Sequence, residues 1–360
     1  MKRLQVQSSV GNYEVLVGRG AWRELGGLTG FTSAFVLTEG NLWKTWGSQF
    51  KRRTGWARLQ PIVVPPGETS KSLTMAGRVA AELLNRGADR RSFLVALGGG
   101  VVGDLGGFVA STYMRGIAYA QAPTTVLAQV DSAIGGKTAV NIRAAKNLVG
   151  TFYAPRLVAS DPTVLGSLSL RAFRSGLYEA VKHSILAGPA LFDWLDGKLA
   201  GLRPHDTAML EALVGRAAAV KVGVVSRDER EADLRRILNL GHTYGHALEE
   251  ATAYRRFLHG EAVAWGVLLV TRLAEIVGLL DPGEGKRISR LVRSVGPLPP
   301  IRGLREEKIL RLLPRDKKAV GGKIHWVLPE NIGKVRVTPD VPPAAVSAAF
   351  REVQRGVWNG

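Results

Sequence analysis

The chain lacks cysteine and has no long apolar run. The absence of cysteine from its 360 residues excludes disulfides and thiolate chemistry. Apolar runs such as Ile62–Val64 and Ala262–Val270 stop well short of the ~20 residues that a membrane span needs. Met1-Lys2-Arg3 leads into an alternating strand pattern and not into the apolar core of a secretory signal. We therefore expect a cytoplasmic protein with no membrane partner.

Acidic residues are few, because 30 Asp and Glu face 49 Lys and Arg, which gives a formal charge of +19. A basic surface attracts phosphate without sequence recognition, so nucleic-acid binding has to be considered. The basic residues are scattered, however, as at 51–53, 90–91 and 255–256, and no familiar nucleic-acid motif is present. We predict no nucleic-acid partner and favour a pocket for a multiply anionic small molecule.

The length predicts two domains. The first part of the chain alternates predicted strands at Tyr13–Val17 and Ala34–Thr38 with a predicted helix at Leu73–Arg86. Phe93–Leu97 has the pattern of a buried parallel strand and runs directly into Gly98-Gly99-Gly100. A strand that ends in a glycine loop is how α/β nucleotide-binding folds place phosphates.

After Asp161-Pro162 the residue pattern changes to segments with helical spacing, at Leu170–Leu186, Met209–Val225 and Ala262–Val277. One late strand pair is predicted, at Lys323–Leu328 and Lys334–Val337, joined through 329–333. The predicted fold is an α/β N-terminal nucleotide-binding (Rossmann-like) domain at residues 1–166 and a mainly α-helical, metal- and substrate-binding domain at 167–360.

Metal-ligand side chains stand in or beside predicted helices. His242 and His246 are spaced i, i+4, which puts both imidazoles on one helix face. His259 precedes the apolar run that starts at Ala262, and Glu179 adds a carboxylate. Two histidines and a carboxylate with one position left open are typical of catalytic zinc. The alternative is that these are surface histidines or hydrogen-bonded core histidines.

Glycine and lysine mark a second group of candidates. The segment Gly98–Gly107 lets backbone N–H groups approach a pyrophosphate, although tight turns or close helix packing also explain glycine clusters. Lys137 follows a glycine pair, but a P-loop is excluded because Val130 stands where that motif needs glycine. Any of these lysines alone could be a solvated surface charge. One metal site, many cations and few nucleophiles suit a phosphorylated acidic substrate.

Six blocks of the chain, in order, resemble 3-dehydroquinate synthase, a family of the sugar-phosphate cyclase group. The blocks are Pro66–Ser72, Gly98–Arg115, Pro123–Asn147, Gly176–Lys182, Asn239–His246 and His259–Val263. The resemblance implies an NAD-binding α/β domain, a helical domain that binds a divalent metal (zinc, or alternatively cobalt), an active site in the cleft between them, and usually a homodimer.

The resemblance also implies roles for individual residues. The implied metal ligands are Glu179, His242 and His259, so His246 is not a ligand despite its spacing. The implied substrate contacts are Arg115, Asp131, Lys137, Asn147, Lys182, Lys221, Arg235, Asn239, His246 and Lys317. Of these, Lys137, Lys182, Lys221, Arg235 and His246, together with Glu231, are predicted to be catalytic. The implied NAD contacts are Glu39, Asn41, Glu68, Lys71, Gly98, Gly99, Gly100, Asp104, Thr124, Thr125 and Lys146.

Two positions depart from the family pattern. Glu39 stands where the family usually has Asp before the asparagine, here Asn41, and His183 stands where tyrosine is common. The longer Glu39 side chain has to reach the adenine ribose differently.

The reaction that the resemblance implies converts 3-deoxy-D-arabino-heptulosonate 7-phosphate to 3-dehydroquinate. It proceeds by transient NAD-mediated oxidation, phosphate elimination, re-reduction and intramolecular aldol closure, without net redox change. Three alternatives stay open from the residues. They are a metal-dependent polyol dehydrogenase, a cyclase that acts on a sugar phosphate without a carboxylate, and a non-catalytic basic binding protein.

Overall fold

The computed structural model describes residues 1–143, 145–313 and 324–358, and the chain divides into two compact units. Unit 1 comprises Met1–Leu168 and Pro204–Arg230, and unit 2 comprises Ser169–Arg203 and Glu231–Gly360. The strands are β1 Lys2–Val6, β2 Tyr13–Val17, β3 Ala34–Glu39, β4 Gln60–Val64, β5 Phe93–Gly98, β6 Ala118–Pro123, β7 Lys137–Ile142, β8 Ala145–Phe152, β9 Leu157–Ser160, β10 Trp326–Asn331 and β11 Lys334–Thr338. The helices are α1 Arg23–Gly26, α2 Gly40–Thr54, α3 Leu73–Asn85, α4 Gly100–Thr112, α5 Leu170–Ala187, α6 Pro189–Leu195, α7 Thr207–Val225, α8 His242–Ala251, α9 His259–Ile276, α10 Pro282–Ser294, α11 Glu306–Leu312 and α12 Pro343–Arg355.

The sheet of unit 1 has seven strands in the order β1-β2-β9-β6-β5-β3-β4. Only the edge pair β1–β2 is antiparallel, and the other neighbours are parallel. Every residue of β5, from Phe93 to Gly98, is buried, because apolar clusters cover both faces of the sheet. The predicted α/β class and the continuous apolar pattern at 93–97 are confirmed.

Helix α4 packs closely on the sheet because it carries glycine where other residues would collide. A Cβ at Gly106 would lie 2.9 Å from the Cβ of Ala96, and a Cβ at Gly107 would lie 2.3 Å from the Thr138 Cγ2. The glycine-dense segment therefore serves close helix packing in its second half. Its first half, Gly98 to Gly100, forms the turn from β5 into α4.

The segment between β6 and β8 contains structure that the sequence analysis did not predict. A π-helical turn spans Ala128–Ser132, and β7 pairs with β8 in a separate antiparallel hairpin. The mixture of polar residues and glycine fits this arrangement. Gly136 has a φ of +62°, so the chain can turn there immediately before β7.

The second stretch of unit 1, Pro204–Arg230, lies inside the range that the sequence analysis gave to the helical domain. Its helix α7 contacts β1 and the π-helical turn at 128–132. Lys2 Nζ donates to the Gly215 carbonyl at 3.0 Å, and the N–H of Gln7 donates to the Ser226 hydroxyl at 3.1 Å. These long-range contacts join α7 to the sheet, so the division at residue 166 does not follow the compact units there.

Unit 2 is built around α9, in which every residue from Gly260 to Thr271 is buried. Helices α5, α8, α10 and α12 pack against it, as expected for a helix that is apolar on all sides. The late strand pair was predicted with the wrong bounds. β10 begins at Trp326 and continues through Pro329, which pairs with Val335, because a bulge between Pro329 and Asn331 accommodates the proline. The predicted start at Lys323 lies outside the described residues.

Across the described parts of the chain, the helices are too short or too polar to traverse a lipid bilayer.

Candidate active-site residues

Three side chains of unit 2 bring metal-ligand atoms together. Glu179 lies on α5, His242 is the first residue of α8, and His259 is the first residue of α9. The Glu179 Oε1 lies 3.9 Å from the His242 Nε2 and 3.6 Å from the His259 Nε2. One ligand atom from each residue lies within 4.8 Å of the other two, so a single ion could contact all three.

The surroundings of these atoms fit a divalent cation. Glu179 is fully buried, and its Oε1 accepts no hydrogen bond from any described residue. The His242 Nδ1 lies 3.2 Å from the Leu240 carbonyl oxygen, and the His259 Nδ1 lies 3.3 Å from the Glu249 Oε2. If each Nδ1–H donates to that oxygen, each Nε2 presents a lone pair. Ligand atoms around tetrahedral zinc lie ~3.4 Å apart, close to the distances here.

Glycines allow the three helices to approach closely enough for this cluster to form. A Cβ on Gly260 would lie 1.7 Å from the Ser175 carbonyl oxygen of α5. A Cβ on Gly266 of α9 would lie 1.8 Å from the Gly241 carbonyl oxygen. Gly241 itself has a φ of +78°, a conformation that favours glycine, and immediately precedes His242. The glycines next to the histidines therefore determine where those histidines lie.

A buried carboxylate fixes the start of α9. Glu261 is 4% exposed, and its Oε2 accepts a hydrogen bond from the Leu258 N–H at 2.7 Å. Arg171 donates to both Glu261 oxygens, from Nε at 2.7 Å and from Nη2 at 2.8 Å. A carboxylate at this position also interacts favourably with the helix dipole. Within His259-Gly260-Glu261, His259 is thus a candidate ligand, and Glu261 fixes the backbone at the start of the same helix.

His246 lies on the same helix as His242, one turn further along. Its ring centroid lies 5.5 Å from that of His242 and 6.2 Å from that of His259. It groups with Glu249 and His259, whereas the more buried group contains His242, His259 and Glu179. The ligand set that the family resemblance implied is thus one of the groups whose ligand atoms lie close enough to share an ion, and His246 lies beside it.

The remaining candidates of unit 2 are mostly buried. Lys182 is 1% exposed, and its Nζ lies 2.5 Å from the Glu179 Oε2, so these two residues form a buried ion pair. Arg235 is 3% exposed. Asn239 donates to the Glu231 Oε1 at 2.6 Å. Lys317 lies outside the described residues.

In unit 1 the glycine turn lies at the carboxyl edge of the parallel sheet. Gly99 precedes α4, and a Cβ on it would lie 3.1 Å from the Thr125 Cγ2. A Cβ on Gly100 would lie 3.0 Å from the Ser132 Oγ. Thr124 follows β6, and its N–H donates to the Gly98 carbonyl at 2.9 Å. A helix start at which side chains are absent and space is tight is suited to a phosphate group.

The first residues after β3 lie at the same edge, because β3 is the parallel neighbour of β5. From β3 the chain continues to β4 on one side, and from β5 it continues to β6 on the other side. The gap between β3 and β5 is therefore a topological switch point of the sheet. Glu39 ends β3 and is half-buried, and this burial raises the pKa of its carboxyl above the ordinary value. Asn41 lies in the first turn of α2 and is exposed.

An ion pair joins two of the predicted NAD contacts. Lys71 is 4% exposed, and its Nζ donates to the Asp104 Oδ2. Burial raises the pKa of the Asp104 carboxyl, although the adjacent Lys71 ammonium opposes this shift. Asp104 is therefore a largely buried carboxylate with a cationic partner.

Further predicted contacts lie on and beside the β7–β8 hairpin. The Glu68 Oε1 lies 3.9 Å from the Lys146 Nζ, and the Glu68 Oε2 accepts from the Asn141 amide at 2.9 Å. Asn147 has a φ of +52°, and its N–H donates to the Asn141 Oδ1 at 2.9 Å. The structure therefore brings Glu68 and Lys146 together, with Asn141 as a link that the sequence analysis missed.

The cationic candidates of unit 1 differ in exposure. Lys221 of α7 is 8% exposed, and its Nζ donates to the Asp131 Oδ1 at 2.7 Å. Lys137 and Arg115 are exposed, and Arg115 has a φ of +68°. These three candidates can offer positive charge to a ligand, but they differ in burial and in backbone conformation.

Solved structures of related fold define the class of protein. ValA, the 2-epi-5-epi-valiolone synthase from Streptomyces hygroscopicus subsp. jinggangensis 5008 with NAD+ and Zn2+ bound, aligns with a TM-score of 0.85 and 27% identity over 99% of this chain and 100% of that one. A 2-deoxy-scyllo-inosose synthase complexed with carbaglucose-6-phosphate, NAD+ and Co2+ aligns with a TM-score of 0.86 and 24% identity, covering 98% and 99%. The fold is that of the sugar-phosphate cyclases.

The sequence comparisons identify the family within this class. The model of the 3-dehydroquinate synthase N-terminal region matches residues 61–175, and that of the C-terminal region matches residues 176–319. The 3-dehydroquinate synthase of Koribacter versatilis is 44% identical over 361 residues, covering 98% of each chain. The chain belongs to the 3-dehydroquinate synthase family. It is an enzyme, and its reaction is the phosphate-eliminating cyclisation that gives 3-dehydroquinate.

Proposed function

We propose that the chain acts on 3-deoxy-D-arabino-heptulosonate 7-phosphate, with NAD as a recycled cofactor and a divalent cation held by Glu179, His242 and His259. Zinc is the preferred cation and cobalt the alternative, because imidazole and carboxylate ligands suit both. The carrying observation is the buried Glu179 Oε1, which faces two imidazole nitrogens and accepts no hydrogen bond from a described residue. Once bound, such a cation supplies Lewis-acid polarisation of substrate oxygens.

The side chains of unit 2 supply charge and proton-transfer groups. Arg235 is buried and offers a planar fork of N–H donors to a carboxylate or phosphate. Lys182 neutralises Glu179 and adds a second buried cation. His246 is half-buried beside the metal ligands, and we assign it the transfer of a proton to or from the substrate. Glu231 orients Asn239, and through it a substrate hydroxyl.

The NAD assignment rests on unit 1. Gly98, Gly99 and Gly100 carry no side chains at the start of α4, and Gly99 and Gly100 are partly exposed, so N–H groups there can receive a pyrophosphate. Glu39 ends β3 and Asn41 lies just beyond it, and Thr124 and Thr125 follow β6, so both pairs flank this turn at the carboxyl edge of the sheet. Lys71 with Asp104 and Lys146 with Glu68 supply charged partners.

We assign Arg115, Asp131, Lys137, Asn147, Lys221 and Lys317 to substrate binding on the family pattern. Lys137 and Lys221 carry the positive charge that a phosphorylated substrate requires. We also propose a cytoplasmic homodimer, on the resemblance to the family.

The decisive experiment measures phosphate release from the heptulosonate phosphate, with and without a chelator, together with the net yield of NADH. We expect phosphate release that stops on chelation, and no NADH accumulating in proportion to product. His242→Ala should abolish activity and lower bound zinc, whereas His205→Ala, at an exposed position of unit 1, should change neither. Full zinc occupancy in His242→Ala would refute the ligand assignment, and stoichiometric NADH would show a dehydrogenase.

A further inference from the structure

A second carboxylate of unit 2 lies directly behind one of the candidate metal ligands. Glu249 is on α8 and is 7% exposed. Its Oε2 lies 3.3 Å from the His259 Nδ1, on the opposite side of the imidazole from the Nε2 that faces Glu179. The sequence signal for this arrangement is weak, because Glu249 is separated by ten residues from its partner.

The two histidines of the cluster are held in different ways. The His242 Nδ1 faces a backbone carbonyl, that of Leu240, at 3.2 Å. A backbone carbonyl is neutral and cannot be removed by substitution. The His259 Nδ1 instead faces an ionisable side chain, and a carboxylate that accepts the Nδ1–H makes the imidazole a stronger ligand through its other nitrogen.

We propose that Glu249 is a positioning residue that holds His259 as the tautomer with Nε2 free and thereby strengthens metal binding. The inference rests on the metal site proposed above. Glu249 also groups with His246 and His259, so an ion held by that second group is the competing arrangement. The Nδ1–Oε2 distance of 3.3 Å is within hydrogen-bonding range, and Glu179 is the more buried carboxylate.

The test is Zn2+ affinity, measured by competition with a chromophoric chelator on the full chain. Loss of an outer carboxylate partner typically weakens metal binding about 10- to 100-fold, and we expect that range for Glu249→Ala. Glu249→Gln keeps the size of the side chain and an acceptor oxygen but loses the charge, so its loss should be smaller. Glu250→Gln removes the same charge one residue further on and should bind within about twofold of the unchanged chain.

Two further measurements separate positioning from folding and from the ligand assignment. The melting temperature of the metal-free protein should be nearly the same for Glu249→Gln and the unchanged chain, and the d–d absorption of the Co2+-loaded protein should change. If Glu249→Ala and Glu249→Gln both bind Zn2+ as tightly as Glu250→Gln, the inference is wrong. Glu179→Gln tests the site itself, because unchanged Zn2+ affinity there would overturn the proposed ligand set.

An ion between His246, Glu249 and His259 would give a different pattern. Removal of Glu249 would then abolish Zn2+ binding altogether, and His246→Ala would do the same. That result would also overturn the inference, because Glu249 would be a ligand and not a positioning residue. Under our proposal, His246→Ala retains Zn2+.

Discussion

The charged candidates of the two units meet their partners in different ways. In unit 1 six of them form opposite-charge pairs, with Lys71 beside Asp104, Lys146 near Glu68 and Lys221 bonded to Asp131. In unit 2 one oxygen of Glu179 pairs with Lys182, but the other faces two imidazole nitrogens at 3.6 and 3.9 Å.

The two units therefore differ in how their charged groups are arranged before a ligand binds. The pairs of unit 1 are satisfied by one another, so a ligand there has to exchange partners or add to them. The cluster of unit 2 collects lone pairs around one point, so a cation improves an arrangement that is otherwise costly in a buried site. Removal of the cation should therefore affect unit 2 more than unit 1.

The largest effect on stability is predicted for glycine substitutions, and it tests this contrast between the two units. Gly260→Ala places a Cβ 1.7 Å from the Ser175 carbonyl oxygen, so α9 and α5 have to separate. We expect a loss of about 3 kcal/mol or more in the free energy of unfolding, together with weaker Zn2+ binding. Gly99→Ala in unit 1 meets only the Thr125 methyl at 3.1 Å and should cost about 1 kcal/mol or less.

Denaturant unfolding and Zn2+ titration of both variants check this prediction. Equal costs would show that close packing does not distinguish the metal cluster from the glycine turn. A Gly260→Ala protein that is destabilised yet binds Zn2+ normally would show that the distance between α5 and α9 does not control the ligand positions.

The next effect concerns the buried pair of unit 1. Lys71→Met leaves the Asp104 carboxylate without the ammonium that it contacts. Because Asp104 keeps some access to water, we expect the lower end of the range for broken buried pairs, about 3 kcal/mol. The double variant Lys71→Met/Asp104→Leu removes both charges and should recover most of that loss. A double variant no more stable than Lys71→Met would contradict the pairing argument.

Local patterns in the sequence were sufficient for the parts of the fold that depend on local interactions. The apolar run 93–97 followed by three glycines predicted β5 and its turn, and helices were predicted at 170–186 and 209–225 close to their observed bounds. The β7–β8 hairpin was missed because its stability depends on pairing between strands and on packing under α4. The pattern of 137–152 does not carry that information.

For the same reason, the sequence predicted those parts of the candidate site that lie close together along the chain better than those on separate helices. The residues alone offered His242, His246, His259 and Glu179 as ligands, and only the family resemblance removed His246 from that set. Glu179 is 80 residues from His259, so no spacing rule could connect them. Glu249 and Arg171 were not identified at all, because each acts on a residue that lies on another helix.

A smaller effect would sharpen the description of the buried cations in unit 2. Arg235→Lys keeps the charge of a side chain that is 3% exposed but loses its planar fork of donors. We expect a loss of about 1.5–3 kcal/mol of charge-assisted substrate binding, or roughly 10- to 150-fold in kcat/KM. Zinc content should be unchanged, and Arg236→Lys, at the adjacent half-buried position, is the matched control. Equal kcat/KM values for both variants would remove Arg235 from the proposed anion site.

The smallest effect on stability is predicted for Glu229, a carboxylate that hydrogen-bonds to the N-terminal segment of unit 1. The Glu229 Oε2 accepts from the Ser9 N–H at 2.8 Å and from the Ser9 hydroxyl at 2.6 Å, and the Oε1 accepts from the Ser8 hydroxyl. Burial alone would raise the pKa of Glu229, but these hydrogen bonds outweigh it and lower the pKa below its ordinary value of 4.5.

The folded state therefore holds this proton less tightly than the unfolded state, so the contribution of Glu229 to stability is complete above about pH 4.5 and is lost as the pH falls through the folded pKa. Glu229→Gln should lower the stability of the metal-free protein at neutral pH by less than about 1 kcal/mol, because the carboxylate is partly exposed, and should flatten the pH dependence below pH 4.5. Stability of the metal-free protein against urea, measured from pH 3 to 7, checks the slope without interference from metal release. Ser9→Ala should reproduce part of the change. An unchanged slope in both variants would show that the segment is held by its strand pairing in β1 and β2 and not by this carboxylate.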